Sequence, residues 1–240
     1  MSIKMILFDL DGTLLPMDQD KFIENYFKDL TAYMCQGGAH DPREYYNVIW
    51  QGVISMIKND NVMTNEEAYF NTLAGVYGKE CADIEYDKYL EFYKTKYLDG
   101  KAFSWYTSKS RELVDSLKAR GIRVALATNP VFPSVATNAR MSWVDLKPED
   151  FELVTTCDNT SCSKPNPKYY LYIAEKLGVD PQECLMVGND MDDDTPARLV
   201  GMDVFILTDC LINKKDKDLS QYPHGSFDDL ISYINARIDE

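Results

Sequence analysis

The sequence predicts an α/β protein whose core is a parallel β-sheet flanked by helices, with an all-helical segment inserted after the first strand. From about residue 100 onward, short apolar runs alternate with segments of helical periodicity, the pattern of right-handed crossovers between parallel strands. The N-terminal run MILF is continuous and apolar, as expected of a central strand that is covered on both faces. This run leads directly into the sequence DLDG, which places two carboxylates at the end of a buried strand.

The N-terminal strand is predicted over residues 4–9. Apolar and aromatic residues then recur at helical spacing, and glycine, proline and polar residues interrupt the pattern between successive helices. This pattern predicts four amphipathic helices with a packed aromatic core. We therefore predict a core domain over residues 1–16 and 98–240 and a helical domain over residues 17–97.

The alternation continues to the end of the chain. Apolar runs predict strands, and segments with helical spacing predict helices. Predicted strands cover residues 122–128, 152–155, 184–187 and 204–207, and predicted helices cover residues 107–120, 133–141, 167–177, 196–200 and 227–238.

Composition narrows the possible functions. The chain has 39 acidic and 25 basic side chains and a formal charge of −14, which opposes binding to nucleic acid or to an anionic membrane. No apolar run approaches the length of a membrane span. The six cysteines show no CxxC spacing, which favours reduced thiols and a cytoplasmic location. The two histidines, His40 and His224, lie in Gly- or Pro-flanked loops and are expected at the surface.

Polar residues follow four of the predicted strands. Ligands of open α/β sheets bind at the carboxyl ends of the strands, so these residues are expected to meet in one pocket. A nucleophile, groups that hold anionic oxygens, a cation and metal-binding carboxylates together suit phosphoryl transfer. The residues concerned are Asp9 and Asp11, then Thr128 and Asn129, then Asp158 and Lys164, and finally residues 189–194.

These motifs resemble those of the haloacid dehalogenase superfamily of phosphohydrolases. The family's DxDGT motif is matched by residues 9–13, its strand-end threonine by Thr128, its loop lysine by Lys164 in SKPNP, and its acidic motif by GNDMDDD. The resemblance implies a Rossmann-like core, and it implies that the inserted helices form a cap domain.

The resemblance also implies a role for each residue. Asp9 is expected to attack phosphorus and form an aspartyl phosphate, and Asp11 is expected to act as general acid and then as general base. Gly12 permits a sharp bend that can turn Asp11 back towards the pocket. Thr128 and Asn129, together with Lys164, are expected to bind phosphate. Thr13 either takes part or only braces the loop.

A Mg²⁺ ion is implied as cofactor because it prefers a few carboxylates completed by substrate oxygen and water. Its expected ligands are Asp9, the backbone carbonyl of Asp11 and Asp190, with Asp194 as a further ligand or as a partner that holds the site. The motif can also be aligned with Asn189 and Asp193 in these two places.

The favoured function is a Mg²⁺-dependent phosphatase that acts on a small phosphorylated metabolite. A phosphomutase that uses the same aspartyl phosphate is the alternative, and a calcium-binding protein is a third reading. Residues 9–20 and 190–201 begin like calcium loops but lack Gly at the sixth position and Glu at the twelfth. The substrate and the oligomeric state are left open.

Overall fold

The structure is a computed structural model that describes residues 3–238. A five-stranded sheet lies at its centre, and all pairs of neighbouring strands are parallel. The strands, in the spatial order β2-β1-β3-β4-β5, are β1 (Met5–Phe8), β2 (Arg123–Leu126), β3 (Cys184–Gly188), β4 (Asp203–Leu207) and β5 (His224–Gly225). The predicted α/β class with a parallel sheet is confirmed.

In the sheet, β1 lies between β2 and β3. Phe8 is in register with Leu126 on one side and with Val187 on the other. All four residues of β1 are fully buried, as expected for a strand covered on both faces. The residue that follows β1, Asp9, therefore emerges between the ends of β2 and β3.

Eight α-helices surround the sheet in the part of the chain that the structure describes. Four lie in the insertion: α1 (Gln19–Met34), α2 (Pro42–Lys58), α3 (Asn65–Tyr77) and α4 (Lys79–Lys94). The others are α5 (Lys109–Ala119), α6 (Ser134–Ser142), α7 (Pro167–Leu177) and α8 (Phe227–Ile238). Side chains cap the starts of α1, α2, α3 and α7; for example, the Thr64 side chain and Glu67 form a capping box on α3.

The two ends of the insertion meet beside the core. Met17 forms a β-bridge with Ser104, and the amide of Asp18 donates to the carbonyl of Phe103 at 2.9 Å. Aromatic side chains fill the space between the inserted helices, where the hydroxyls of Tyr26 and Tyr93 are hydrogen-bonded at 2.7 Å. The aromatic side chains of the inserted helices therefore form a packed core, as predicted. The domain boundaries at 16/17 and 97/98 stay a prediction.

Three elements differ from the expectation. Residues 152–155 run beside β2 but form only a single bridge, between Leu126 and Val154, so they are not a regular strand. The helix predicted over 196–200 is a 3₁₀ segment, Thr195–Val200, because six residues beginning with Thr-Pro leave no room for regular α-helical turns. The two-residue edge strand β5 was not predicted, since such a short segment has no measurable periodicity.

Within residues 3–238, no helix combines the length and the apolar character that crossing a bilayer requires.

Candidate active site

A cavity of about 110 Å³ opens at the carboxyl ends of β1, β2 and β3. Five aspartates and a single lysine contribute to its wall, together with side chains from α1. Its lining comprises Asp9, Asp11, Gln19, Phe22, Ile23, Thr128, Asn129, Val131, Phe132, Lys164, Asn189, Asp190, Asp193 and Asp194. Every residue proposed above for catalysis, phosphate binding or metal binding thus borders one cavity, although the chemical roles themselves stay predictions.

Lys164 joins two of the carboxylates. Its Nζ donates to Asp9 Oδ1 at 2.9 Å and to Asp194 Oδ1 at 2.6 Å. Lys164 and Asp194 are each only 1% exposed, so these charges interact with little screening by solvent. Lys164 stands just before α7, whose first turn is capped by the Asn166 side chain. The start of α7 therefore holds the Lys164 cation beside Asp9, the candidate nucleophile.

The protonation states of Asp9 and Lys164 follow from the surroundings of these two side chains. Burial raises the pKa of Asp9 to about 7, although Lys164 partly opposes this effect. Burial alone would lower the pKa of Lys164, but Asp194 and Asp9 outweigh it and raise that pKa well above its ordinary value. Lys164 is therefore a permanent cation, whereas Asp9 gains a proton readily when no other cation is close.

The turn after β1 has the bend that the sequence suggested. Gly12 has φ +81°, and a Cβ atom at this position would collide with the side chain of Asn189. Thr13 Oγ1 donates to Asn189 Oδ1 at 3.0 Å, and Asn189 Nδ2 donates to the Cys210 carbonyl at 2.8 Å. Thr13 thus braces the loop, and the amide of Asn189 is occupied by structural contacts.

Asp11 has a partner that the sequence did not reveal. Arg140 Nε lies 3.0 Å from Asp11 Oδ1, and Arg140 is fully buried. The guanidinium stacks at 4.3 Å from the Phe132 ring and also donates to the hydroxyl of Tyr97. Burial raises the pKa of Asp11, and the positive charge of Arg140 opposes that rise.

The acidic loop after β3 is organised by its own backbone. Asp190 Oδ1 accepts the amides of Asp192 and Asp193 at 2.7 and 3.1 Å, and Asp194 Oδ2 accepts the amide of Asp190 at 2.9 Å. Burial raises the pKa of Asp190, and it raises the pKa of Asp193 to about 6. Asp192 instead pairs with Lys217, 2.7 Å away, and does not line the cavity.

The strand-end residues after β2 are also fixed. The carbonyl of Thr128 accepts from Thr155 Oγ1 at 2.7 Å and from the Tyr169 hydroxyl at 2.8 Å. Asn129 Nδ2 donates to Asp193 Oδ2 at 3.0 Å. Asp158 does not line the cavity, because its carboxylate caps α6 by accepting the amide of Ser134 at 2.9 Å. The expectation that Asp158 joins the other strand-end residues is therefore wrong.

A second cavity adjoins the first. It is small, with a volume of about 30 Å³, and five tyrosines of the inserted helices contribute to its wall, among them Tyr26, Tyr69 and Tyr89. Val131 lines both cavities. The polar site thus has an apolar neighbour on the side of the insertion.

Comparison with known proteins agrees with this geometry. The sequence model of the family "haloacid dehalogenase-like hydrolase" matches residues 3–201. Pyrophosphatase PpaX of Bacillus cereus strain AH820 is 28% identical over 193 residues, which cover 80% of this chain and 77% of the relative. The corresponding protein of Bacillus thuringiensis strain Al Hakam is 27% identical with the same coverage.

Solved structures share the fold. The HAD phosphatase from Thermococcus onnurineus superimposes with a TM-score of 0.60 at 21% identity and covers 97% of this chain and 98% of its own. A HAD family enzyme from Bacteroides thetaiotaomicron, solved in complex with magnesium and inorganic phosphate, gives a TM-score of 0.52 at 16% identity, with coverages of 91% and 98%. The family match extends over most of the sequence, including both β1 and the acidic loop after β3. The chain belongs to the haloacid dehalogenase-like hydrolases.

Proposed function

We propose that this hydrolase is a Mg²⁺-dependent phosphatase that removes phosphate from a small phosphorylated metabolite through an aspartyl phosphate on Asp9. The observation that carries the proposal is the position of Asp9 at the end of the central strand. There its carboxylate touches Lys164 and borders a cavity wall that contains four further aspartates. The relatives named pyrophosphatase and phosphatase support the same class of reaction.

In this proposal the first half-reaction uses Asp9 as nucleophile. One carboxylate oxygen of Asp9 bonds to phosphorus while the bond from phosphorus to the leaving oxygen breaks, and Asp11 gives its proton to that oxygen. Lys164, with the hydroxyl of Thr128 and the backbone amide of Asn129, stabilises the charge on the phosphoryl oxygens. The burial that raises the pKa of Asp11 favours the protonated form that this step needs.

The second half-reaction regenerates the enzyme. Asp11, now ionised, takes a proton from a water molecule that attacks phosphorus, and the bond between phosphorus and the Asp9 oxygen breaks. Arg140 stabilises the ionised form of Asp11 that this step requires, since its guanidinium lies 3.0 Å away. Burial and the charge of Arg140 shift the pKa of Asp11 in opposite directions, which suits a residue that must change its protonation state twice.

The residues present fit a magnesium ion. Five carboxylates against one lysine leave an excess of negative charge in the wall, and hard oxygen donors are what Mg²⁺ prefers. Asp9, the Asp11 carbonyl and Asp190 are the proposed ligands. When bound, the ion neutralises the carboxylates and polarises the phosphoryl group. The structural contacts of Asn189 support Asp190 over the alternative register, and the contact with Lys164 favours a role for Asp194 in positioning the lysine.

We further propose that residues 17–97 act as a cap that selects the substrate. Gln19, Phe22 and Ile23 of α1 enter the wall of the polar cavity, and the tyrosine-lined cavity lies next to it. Such side chains contact the leaving group rather than the phosphate, so they discriminate among substrates.

All six cysteines are free thiols, in keeping with the proposed cytoplasmic location.

A screen of phosphorylated metabolites, with pyrophosphate included, tests the proposal. Phosphate release is measured with Mg²⁺ and with excess chelator, and a folded Asp9→Asn variant serves as the control. We expect release from at least one compound, no release in chelator and none from the variant. A phosphomutase would instead isomerise a sugar phosphate without releasing phosphate. Near-native hydrolysis by folded Asp9→Asn contradicts the proposed nucleophile.

A further inference from the structure

A second group of metal-ligating side chains lies within the inserted helices, outside the cavity described above. His40 precedes α2, and Cys81 and Glu85 stand one turn apart on α4. One ligand atom from each, namely a ring nitrogen, the thiol sulfur and a carboxylate oxygen, lies within 4.8 Å of the others. His40 Nε2 is in direct contact with Glu85 Oε1. Three different ligand types thus converge at one point.

The surroundings hold two of these side chains in place. The His40 ring, expected at the surface, is instead packed against the rings of Tyr45 and Tyr77, with centroids 4.7 and 4.4 Å away. The Tyr45 hydroxyl donates to Glu85 Oε2 at 2.9 Å, which leaves Oε1 facing the histidine. A carboxylate with one oxygen fixed by a tyrosine is oriented in the manner typical of metal sites.

The charge of Glu85 needs compensation. Its side chain is only 7% exposed, and His40 is the sole ion-pair partner recorded for it within residues 3–238. Lys88, one turn further along α4, donates instead to the carbonyl of Met34 at 2.8 Å. A buried carboxylate is stable when a cation accompanies it, and that cation is either a protonated His40 or a bound metal ion. The nearby thiol of Cys81 has no function in the first arrangement and is a ligand in the second.

We propose that His40 Nε2, Cys81 Sγ and Glu85 Oε1 form a binding site for Zn²⁺, with water as the fourth ligand. Zinc accepts imidazole, thiolate and carboxylate together, whereas Mg²⁺ and Ca²⁺ require oxygen ligands. A neutral imidazole, a thiolate and a carboxylate balance the two charges of the ion. Zinc ligands stand about 2.0–2.3 Å from the ion, so His40 and Glu85 separate slightly to admit it. The ion then ties the start of α2 to α4.

Cobalt substitution tests this site without any measurement of catalysis. The full-length protein is treated with chelator, dialysed and titrated with Co²⁺, and the near-ultraviolet thiolate-to-cobalt charge-transfer band and the visible bands of tetrahedral cobalt are recorded. The cavity between the strand ends has no cysteine among its lining residues, so cobalt bound there gives no thiolate band. We expect the thiolate band to saturate at one Co²⁺ per chain and to vanish when Zn²⁺ is added.

Matched variants assign the band to its ligands. Cys81→Ser and His40→Gln should each abolish it, and Cys210→Ser, at another half-buried cysteine, should retain it. Tyr45→Phe keeps all three ligands but frees Glu85 Oε2, so affinity for Co²⁺ should fall by about 10- to 100-fold. Circular dichroism checks that each variant is folded. No thiolate band in the unaltered protein, or a band that survives in folded Cys81→Ser, overturns the proposal and leaves a plain His40–Glu85 ion pair.

Discussion

Replacing Arg140 by methionine should destabilise the protein strongly, and the cause should be the carboxylate of Asp11. Arg140 is 0% exposed and its Nε lies 3.0 Å from Asp11 Oδ1. Removing one partner of a buried ion pair leaves an uncompensated charge and typically costs about 3–5 kcal/mol. Methionine retains much of the arginine stem, so loss of packing contributes less than it would with alanine.

The pH dependence separates this cause from general damage to the core. Burial raises the pKa of Asp11, and without Arg140 that pKa rises further. The folded variant then holds a proton on Asp11 that the unfolded chain releases above about pH 4. The free energy of unfolding of Arg140→Met, relative to the unaltered protein, should therefore fall as the pH rises from the pKa of Asp11 in the unaltered protein towards its higher pKa in the variant.

Urea unfolding of four proteins at pH 8 provides the assay: unaltered, Arg140→Met, Asp11→Asn and the double variant. We expect a coupling free energy of up to about 3 kcal/mol between positions 11 and 140. The destabilisation by Arg140→Met that remains in the Asp11→Asn background then reflects the lost contacts with Tyr97 and Phe132. The matched control is Arg123→Met, which breaks the far more exposed pair with Glu152 and should cost only about 0.2–1 kcal/mol. Equal costs of Arg140→Met with and without the Asp11 carboxylate would refute the reasoning.

Three further predictions concern the cavity. Lys164→Met should lower the rate of phosphate release by about 10²- to 10³-fold, because the buried cation beside Asp9 is lost. Lys168→Met, at an exposed lysine, should leave the rate unchanged, and steady-state rates of the two variants test this difference. Since burial raises the pKa of Asp9 to about 7, a proton competes with Mg²⁺ below that pH, and calorimetry should find weaker binding at pH 6 than at pH 8. Ile23→Ala should change the order of substrate preference in a metabolite screen, and the exposed Ile57→Ala should not.

The residues at the strand ends could be predicted because their signals are local. An apolar run that stops at a charged or polar residue shows both the strand and the edge at which its last side chain emerges, as with MILF followed by Asp9. The helix from Pro167 to Leu177 has a local signal too, since a proline opens it; in the structure Gly178 closes it in the left-handed conformation.

Arg140 and His40 were missed for the opposite reason. An arginine in an amphipathic helix is ordinarily solvated, and the complete burial of Arg140 depends on tertiary contacts, among them the pairing with Asp11, 129 residues away in sequence. His40 follows two glycines, which suggests an exposed loop, yet the rings of Tyr45 and Tyr77 enclose it. Residues 152–155 contain a short apolar run, which predicts a strand, but their pairing with β2 stops after one bridge.

The most direct test of the account is to identify the atom that receives the phosphoryl group. Asp11→Asn cannot activate water, so with Mg²⁺ and an aryl phosphate, whose leaving group needs no acid, the phosphoryl group should accumulate on the protein. Acid quenching, borohydride reduction of the acyl phosphate and peptide mass spectrometry then locate it. The account predicts modification at Asp9 and none in the Asp9→Asn/Asp11→Asn double variant. Modification at another residue, or an unmodified Asp9 while the variant still turns over, would contradict it.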